Sequence, residues 1–239
     1  EKVLRAQALA KVKRPVKQIG DMSIWELYNP KHRYGIGADT AKGVGRDSCA
    51  SCAIRFKTSD TAPAVMAGTY ASNTIAPDTF GYEMQRQGDY FGQCLVAPEL
   101  NNTGYATVAQ LKMLKYPKIY RKTKKNELGA VITDTLGWEA TTNNVADIYY
   151  AFRTAFEDGE LLIYDMRVLE EMRRFTKRDL HEASKKAETT TMAGATRHFD
   201  LLRGACIAWE MRHHATVGRE GRKPYKQGAF VPVSEHQGG

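Results

Sequence analysis

The stretch YGIGADTAKGVGRD, residues 34–47, decides how this sequence is interpreted. Its apolar first half predicts a buried strand that ends on the carboxylate of Asp39, and small residues then predict a tight turn. A carboxylate at the carboxyl end of a strand, beside such a turn, leaves room for a metal ion and a phosphate. We therefore expect Asp39 to belong to a functional site.

Two other acidic residues are placed in a similar way. Glu99 ends a second apolar run, LVAPE at residues 95–99, and Asp200 lies in the first turn of a predicted helix. Three separated carboxylates on a basic chain indicate magnesium-dependent phosphodiester chemistry. Each also has an ordinary alternative: Asp39 as a turn residue, Glu99 as a solvated loop carboxylate, and Asp200 as an acid favoured by the helix dipole.

The composition favours one domain with a polyanionic partner. The chain has 239 residues, of which 42% are hydrophobic, so it can bury one substantial core. Its net charge of +8 favours nucleic acid as the partner, with an unpartnered basic surface as the alternative. No apolar run approaches the ~20 residues of a membrane span, so we expect a soluble, cytoplasmic protein without a membrane partner.

The cysteines do not suggest a disulfide framework or a zinc site. The chain has four, of which Cys49 and Cys52 form a CxxC pair. Both lie in a predicted strand, where residues three apart point to opposite faces, and no second Cys or His pair completes a metal site. We interpret them as buried structural residues.

The order of the predicted elements indicates an α/β fold of the ribonuclease H-like type. Residues 1–33 are basic and broken by prolines, and are interpreted as a linker or N-terminal wrap. Residues 34–216 contain three strands, a helix, a strand, a helix, a strand and further helices, which predicts a mixed β-sheet flanked by α-helices. Residues 177–197 are polar and predict a surface excursion or hairpin before the last helix. Residues 217–239 form a basic C-terminal tail with the composition of a mobile segment.

Five short segments indicate one family within this fold class. They are YGIGADTAKG (34–43), PELNNTG (98–104), GWEATT (137–142), DGEL (158–161) and HFDL (198–201). In this order they resemble the nuclease domain of the large terminase subunit of tailed bacteriophages. The resemblance implies a metal-dependent endonuclease that cuts concatemeric double-stranded viral DNA during genome packaging in the host cytoplasm, by two-metal phosphodiester hydrolysis.

The same resemblance places the metal-binding, catalytic carboxylates on Asp39, Glu99 and Asp200, which would hold Mg²⁺ or Mn²⁺, with two ions expected. Asp47 matches a further acidic position and is expected to be a supporting residue near the site, with a surface strand residue as the alternative. His198, two residues before Asp200, is expected to support the site by contacting phosphate or assisting a water, with a surface histidine as the alternative. The residue before Asp200 departs from the family pattern, because relatives often carry another acid there and this chain has Phe199.

The resemblance also implies partners: double-stranded DNA, the terminase ATPase domain, the small terminase subunit and the portal. The chain lacks a GxxxxGK[ST] motif, so no nucleotide is expected in this domain.

Basic residues supply candidate contacts to the DNA backbone. Lys42 and Arg46 follow the first acid directly. A second cluster consists of Lys112, Lys115, Arg121, Lys122, Lys124 and Lys125. Such contacts give an affinity that falls with salt and little base specificity. A further basic group at residues 173–178 is an alternative track, and a solvated face is the ordinary alternative for either cluster.

Three other functions stay open at this point. A junction resolvase of the same fold would prefer branched DNA to linear DNA. A noncatalytic DNA-binding or docking module would bind DNA without cutting it. A phosphate-binding fold of the sugar-kinase and actin type would explain the glycine-rich turn, but the chain is short for two such lobes.

Overall fold

The computed structural model describes residues 12–41, 48–57, 62–100, 103–125, 131–186 and 198–217. The strands are β1 (Lys17–Ile19), β2 (Met22–Ile24), β3 (Tyr34–Asp39), β4 (Cys49–Arg55), β5 (Ala64–Ser72), β6 (Leu95–Pro98), β7 (Arg121–Lys125), β8 (Val131–Leu136) and β9 (Leu161–Leu162). The helices are α1 (Pro77–Tyr90), α2 (Gly104–Met113), α3 (Thr142–Glu157), α4 (Met166–Arg174), α5 (Lys177–Lys186) and α6 (Asp200–Glu210), with a 3₁₀ turn at Met211–His213.

Seven strands form one mixed sheet in the order β1-β2-β5-β4-β3-β6, with β9 beside β5. Strand β6 is parallel to β3 and β9 is parallel to β5, whereas the other neighbours are antiparallel. Strands β7 and β8 pair in a separate two-stranded sheet. The predicted mixed sheet flanked by helices is confirmed.

Two hydrophobic cores lie on the two faces of the main sheet. One packs helices α3, α4 and α6 against Cys52 and Ile54 of β4, and the other packs α1 and α2 against Cys49 and Ala53. Both cysteines are buried and carry free thiols. The alternation of β4 therefore sends them to opposite faces, as the sequence predicts.

Helix α6 lies directly on strand β3 because glycine occupies the contact. A Cβ atom on Gly37 would lie 2.1 Å from the backbone nitrogen of Ala208 and 2.4 Å from the carbonyl oxygen of Gly204. Alternation along β3 directs Ile36 and Ala38 into the opposite core. Asp39 therefore lies on the same face of the sheet as Gly37 and helix α6.

The segment predicted as a linker or N-terminal wrap contributes two strands to the sheet. Strands β1 and β2 form a hairpin through Gly20, which has a positive φ of 57°, and Met22 and Ile24 are buried. Strands of three residues are too short for an alternating pattern to be recognised in the sequence.

Part of the predicted excursion or hairpin at residues 177–197 is helical instead. At the start of α5, the Thr176 N–H donates to Asp179 Oδ2 at 2.8 Å, and the Asp179 N–H donates to Thr176 Oγ1 at 3.3 Å, which together form a capping box. Leu180 and Ala183 pack against the core that contains α3 and α6. Two apolar contacts in a polar helix leave little periodicity to recognise. Residues 187–197 lie outside the described residues, as do residues 218–239 of the predicted tail.

None of the helices in the described ranges is both long enough and apolar enough to cross a membrane.

Candidate functional site

The carboxyl ends of β3 and β6 bring two of the predicted acids to one edge of the sheet. The Glu99 N–H donates to the carbonyl oxygen of Ala38 at 2.8 Å, directly before Asp39. Beyond the strands, Thr103 Oγ1 donates to the carbonyl oxygen of Thr40 at 2.7 Å and joins the two following turns. Parallel pairing therefore explains why Asp39 and Glu99, far apart in sequence, lie at the same edge.

Helix α6 brings the third acid to this edge. Asp200, Gly204 and Ala208 follow one another at intervals of four residues, so they share the face of the helix that lies on Gly37. One turn before Gly204, Asp200 reaches the start of β4, where the Ser48 N–H donates to Asp200 Oδ2 at 2.9 Å. The structure thus places Asp200 beside the strand that pairs with Asp39.

The pKa of the Cys49 thiol is raised by burial and by the charges of these two carboxylates. Burial raises the pKa of Cys49, the hydrogen bond to the carbonyl of Ala41 opposes this, and the charges of Asp39 and Asp200 raise it further, to about 11. Its Sγ donates to Ala41 O at 3.3 Å. The thiol therefore stays protonated at neutral pH, and the charges of both Asp39 and Asp200 act on it.

Glu99 is engaged by a residue that the sequence analysis did not identify. Arg203 Nε lies 2.9 Å from Glu99 Oε2, and Arg203 Nη2 lies 2.6 Å from Glu99 Oε1, so both carboxylate oxygens accept from one guanidinium. Both side chains are only 9% exposed. Burial by itself would lower the pKa of Arg203, but the charge and hydrogen bonds of Glu99 raise it, with a smaller effect from Asp39.

Aromatic rings complete the surroundings of this guanidinium. Its central carbon lies 5.0 Å from the ring centroid of Trp138 and 5.7 Å from that of Tyr149, distances typical of cation–π contacts. Trp138 is itself fixed beside Glu99, because its N–H donates to the carbonyl of Pro98 at 2.8 Å. Among the described atoms, the buried Nη1 of Arg203 has no hydrogen-bond partner.

A fourth carboxylate, Glu171 of α4, supports the start of α6. Its Oε2 accepts from the Leu202 N–H at 2.7 Å, which replaces a cap that Phe199 does not provide. Burial raises the pKa of Glu171 to about 7; bonds from the Leu202 and Leu201 N–H groups oppose this, and the charge of Asp200 adds to it. No local signal in the sequence could have identified this cap, because it joins different helices.

Of the remaining residues predicted near these acids, the structure describes His198. His198 is partly buried two residues before Asp200. Asp47, Lys42 and Arg46 lie outside the described residues.

The three predicted metal ligands differ in how they are placed to hold a divalent ion. Carboxylate oxygens are the donors that Mg²⁺ and Mn²⁺ prefer, and Asp39 and Asp200 offer them at one edge. The third predicted ligand, Glu99, has both oxygens on Arg203. Within the described ranges, no group of three or more His, Cys, Asp or Glu side chains is placed to hold a metal ion. Asp39 and Asp200 are therefore the carboxylates available to such an ion at this edge, and Glu99 is not available in this arrangement.

The predicted DNA-binding residues fall into two separate places. Lys112 and Lys115 are exposed at the carboxyl end of α2. This helix begins just after the carboxyl end of β6 and extends about 15 Å over its ten residues toward the other end of that strand. The next residue, Tyr116, donates its hydroxyl to the carbonyl of Cys94 at 2.6 Å, just before β6 begins. These lysines therefore lie toward the end of β6 that is opposite to Glu99.

Arg121 and Lys122 lie near the end of β6 that carries Glu99, at the base of the β7–β8 hairpin. Arg121 forms an ion pair with Asp134, and Lys122 Nζ lies 3.5 Å from Glu139 Oε2. The hairpin leads directly into Trp138, whose backbone pairs with Glu99. Lys124 and Lys125 belong to β7, but their side chains are outside the described part of the structure.

No family model and no curated protein matches the sequence. Solved structures, by contrast, match it over most of its length. The large terminase nuclease of the thermophilic phage G20c with bound zinc has a TM-score of 0.61 at 15% identity, covering 88% of this chain and 98% of that one. The same nuclease with bound magnesium has a TM-score of 0.57 at 16% identity, covering 87% of this chain and 96% of that one.

The nuclease domain of the large terminase of Thermus phage P74-26 has a TM-score of 0.59 at 16% identity, covering 95% of this chain and 100% of that one. At these identities the likeness establishes the fold. The chain has the ribonuclease H-like fold of large terminase nuclease domains, and the resemblance seen in the sequence is confirmed at that level.

Proposed function

We propose that this chain is a metal-dependent endonuclease that cuts double-stranded DNA, the nuclease domain of a phage large terminase subunit. The observation that carries the proposal is the convergence of Asp39, Glu99 and Asp200 at one edge of a sheet with the fold of terminase nucleases. These three acids come from two strands and a helix that the chain separates widely.

Asp39 and Asp200 are proposed as the primary metal ligands, with Glu99 as the third ligand of the family pattern. When bound, Mg²⁺ or Mn²⁺ supplies the Lewis acidity that activates water and stabilises the leaving oxygen, with two ions expected from the family. The G20c nuclease has been solved with zinc, magnesium and cobalt, which supports a divalent ion here without choosing one.

Other residues of the chain would orient these ligands and hold the DNA. The Ser48 N–H fixes one oxygen of Asp200, and Glu171 fixes the helix turn that carries it. Arg121 and Lys122 lie on the Glu99 side and are proposed to contact the DNA backbone, as are Lys42 and Arg46. Asp47 and His198 stay proposed supporting residues.

The biological setting proposed follows from the same fold. The substrate would be concatemeric viral DNA, cut during genome packaging in the host cytoplasm. The proposed partners are the terminase ATPase domain, the small terminase subunit and the portal.

A plasmid assay tests this function. Supercoiled plasmid is incubated with the protein in EDTA, Mg²⁺ or Mn²⁺, and nicking and linearisation are followed for wild type and Asp39→Asn. We expect metal-dependent cutting that falls by about 100-fold or more in Asp39→Asn, because a neutral amide binds a divalent ion poorly. Asp78→Asn, an exposed acid on α1, is the matched control and should cut like wild type.

Three outcomes would contradict the proposal. Cutting by Asp39→Asn at the wild-type rate would remove Asp39 from the mechanism. Salt-sensitive DNA binding without cutting by the wild type would favour a noncatalytic module. A strong preference for branched over linear DNA would favour a junction resolvase.

A further inference from the structure

Arg203 places a fixed positive charge on one of the proposed metal ligands. Its Nε and Nη2 donate to the two oxygens of Glu99 at 2.9 and 2.6 Å, the bidentate arrangement in which an arginine–carboxylate pair is strongest. Both side chains are 9% exposed, so solvent screens the pair little. In this arrangement Glu99 is already neutralised by a cation that belongs to the chain.

Several contacts keep both partners in place. The backbone of Glu99 is held by Ala38 on β3, and the rings of Trp138 and Tyr149 lie on the guanidinium. Arg203 is also on the helix that carries Asp200, one turn further along. The pair therefore lies at the same edge of the sheet as the other two acids.

The pairing still leaves Arg203 incompletely satisfied. Its Nη1 is buried and has no acceptor within the described part of the chain. A buried donor without an acceptor is unfavourable, so an alternative placement of the guanidinium need not be much worse than this one.

We propose that Arg203 and a divalent cation compete for Glu99, so that Asp39 and Asp200 hold the first ion and Glu99 becomes a ligand only when Arg203 moves away. This inference rests on the proposed function, because it concerns the same metal ligands. An ion at Glu99 must overcome repulsion by the guanidinium and the loss of two charge-assisted hydrogen bonds. Arg203 is then a positioning residue that lowers the metal affinity of the DNA-free protein.

Titration of Mn²⁺ into the full chain without DNA tests this competition. Calorimetry on wild type, Glu99→Gln, Arg203→Gln and the double variant gives the affinity and stoichiometry. We expect Glu99→Gln to change Mn²⁺ affinity by less than about threefold, because Arg203 already holds that carboxylate. Arg203→Gln should bind Mn²⁺ roughly tenfold more tightly or gain a second equivalent, because the positive charge that repels an ion at Glu99 is removed and the carboxylate is released.

The double variant separates competition from a general charge effect. Removing any nearby positive charge favours a cation, but a gain that comes from releasing Glu99 must disappear when Glu99→Gln is added. Arg55→Gln is the matched control: Arg55 pairs with Glu26 at 2.5 Å, is also 9% exposed in its side chain, and lies at the opposite end of β3 and β4. It should leave Mn²⁺ binding unchanged.

Several results would overturn the inference. One is a loss of Mn²⁺ affinity in Glu99→Gln as large as the loss in Asp39→Asn. A second is that Arg203→Gln gains no affinity, and a third is that its gain persists in the double variant. The fourth is that neither the wild type nor Arg203→Gln binds Mn²⁺. If Arg203→Gln does not fold, Arg203→Lys keeps the charge without the bidentate fork and should show a smaller gain that also requires Glu99. The Mn²⁺ titration contains no DNA, so its result does not depend on plasmid cutting. If the Mn²⁺ affinities follow the expected pattern but the protein never cuts plasmid, the proposed function is refuted and the competition between Arg203 and the cation still holds.

Discussion

At the scale of single residues, Glu171 makes stability depend on pH. Its pKa is raised from 4.5 to about 7, first by burial and then by Asp200, against the bonds from Leu202 and Leu201. A carboxyl whose folded-state pKa is raised stabilises the fold most below its unfolded pKa, and this contribution is lost as pH rises toward the folded value. The window is therefore between about pH 4.5 and 7.

Glu171→Gln is expected to remove this dependence. The amide oxygen can still accept from Leu202, but it carries no charge at any pH. Between pH 5 and 8 the free energy of unfolding of the wild type should fall relative to Glu171→Gln by roughly 1–3 kcal/mol. Thermal melts of both proteins in EDTA, across that range, give this difference. A constant difference between the two proteins across this range would show that folding does not raise the pKa of Glu171.

The sequence could identify some of these residues and not others, for a physical reason. Asp39 and Glu99 end apolar runs, and a strand's carboxyl end is a local property that single-sequence patterns reveal. Arg203 meets Glu99 across 104 residues of sequence, and Glu171 meets Leu202 across 31. Such contacts depend on how helices cross the sheet, which no local pattern encodes. In the sequence, Arg203 is one basic residue in an apolar helix.

At the scale of elements, the contact between α6 and β3 sets the geometry of the site. Gly37→Ala is expected to destabilise the chain by about 3 kcal/mol or more, because the new Cβ would lie 2.1 Å from one backbone atom and 2.4 Å from another. These backbone atoms cannot relieve the clash by a rotamer change, as a flexible side chain can. Helix α6 would have to lift, and Asp200 and Arg203 would move with it. Urea unfolding measures the change.

Gly159→Ala provides the comparison for this variant. Gly159 has a positive φ of 74° and nothing within 4 Å of the position of a Cβ, so only backbone strain of about 1–2 kcal/mol is expected. If the two variants lost equal stability, close packing of α6 on β3 would not be the cause.

The elements that were predicted and those that were missed differ in how much apolar surface they bury. Strands β3, β4 and β5 are almost continuously buried, so their apolar runs stand out. Strand β7 has the sequence RKTKK and pairs with β8 in a sheet of two strands, so nothing in its composition separates it from a basic loop. Helix α5 is mostly charged, so its sequence predicts a surface excursion for the same reason.

At the scale of the whole molecule, the net charge of +8 matters only if it lies where DNA meets the acids. Arg121 and Lys122 lie at the base of the hairpin that leads into Trp138 beside Glu99. Lys112 and Lys115 lie toward the other end of β6. DNA placed for cutting at Asp39 should therefore contact the first pair and not the second.

Two double variants that each remove two positive charges test this placement. The affinity for a short duplex is measured in EDTA between 50 and 200 mM salt, where each phosphate contact contributes about 0.9 to the slope of log affinity against log salt. Arg121→Gln with Lys122→Gln should reduce the slope by about one to two, since Asp134 and Glu139 already neutralise part of their charge. Lys112→Gln with Lys115→Gln should leave the slope unchanged. The reverse pattern would place DNA at the end of the sheet away from Asp39, where these acids could not cut it.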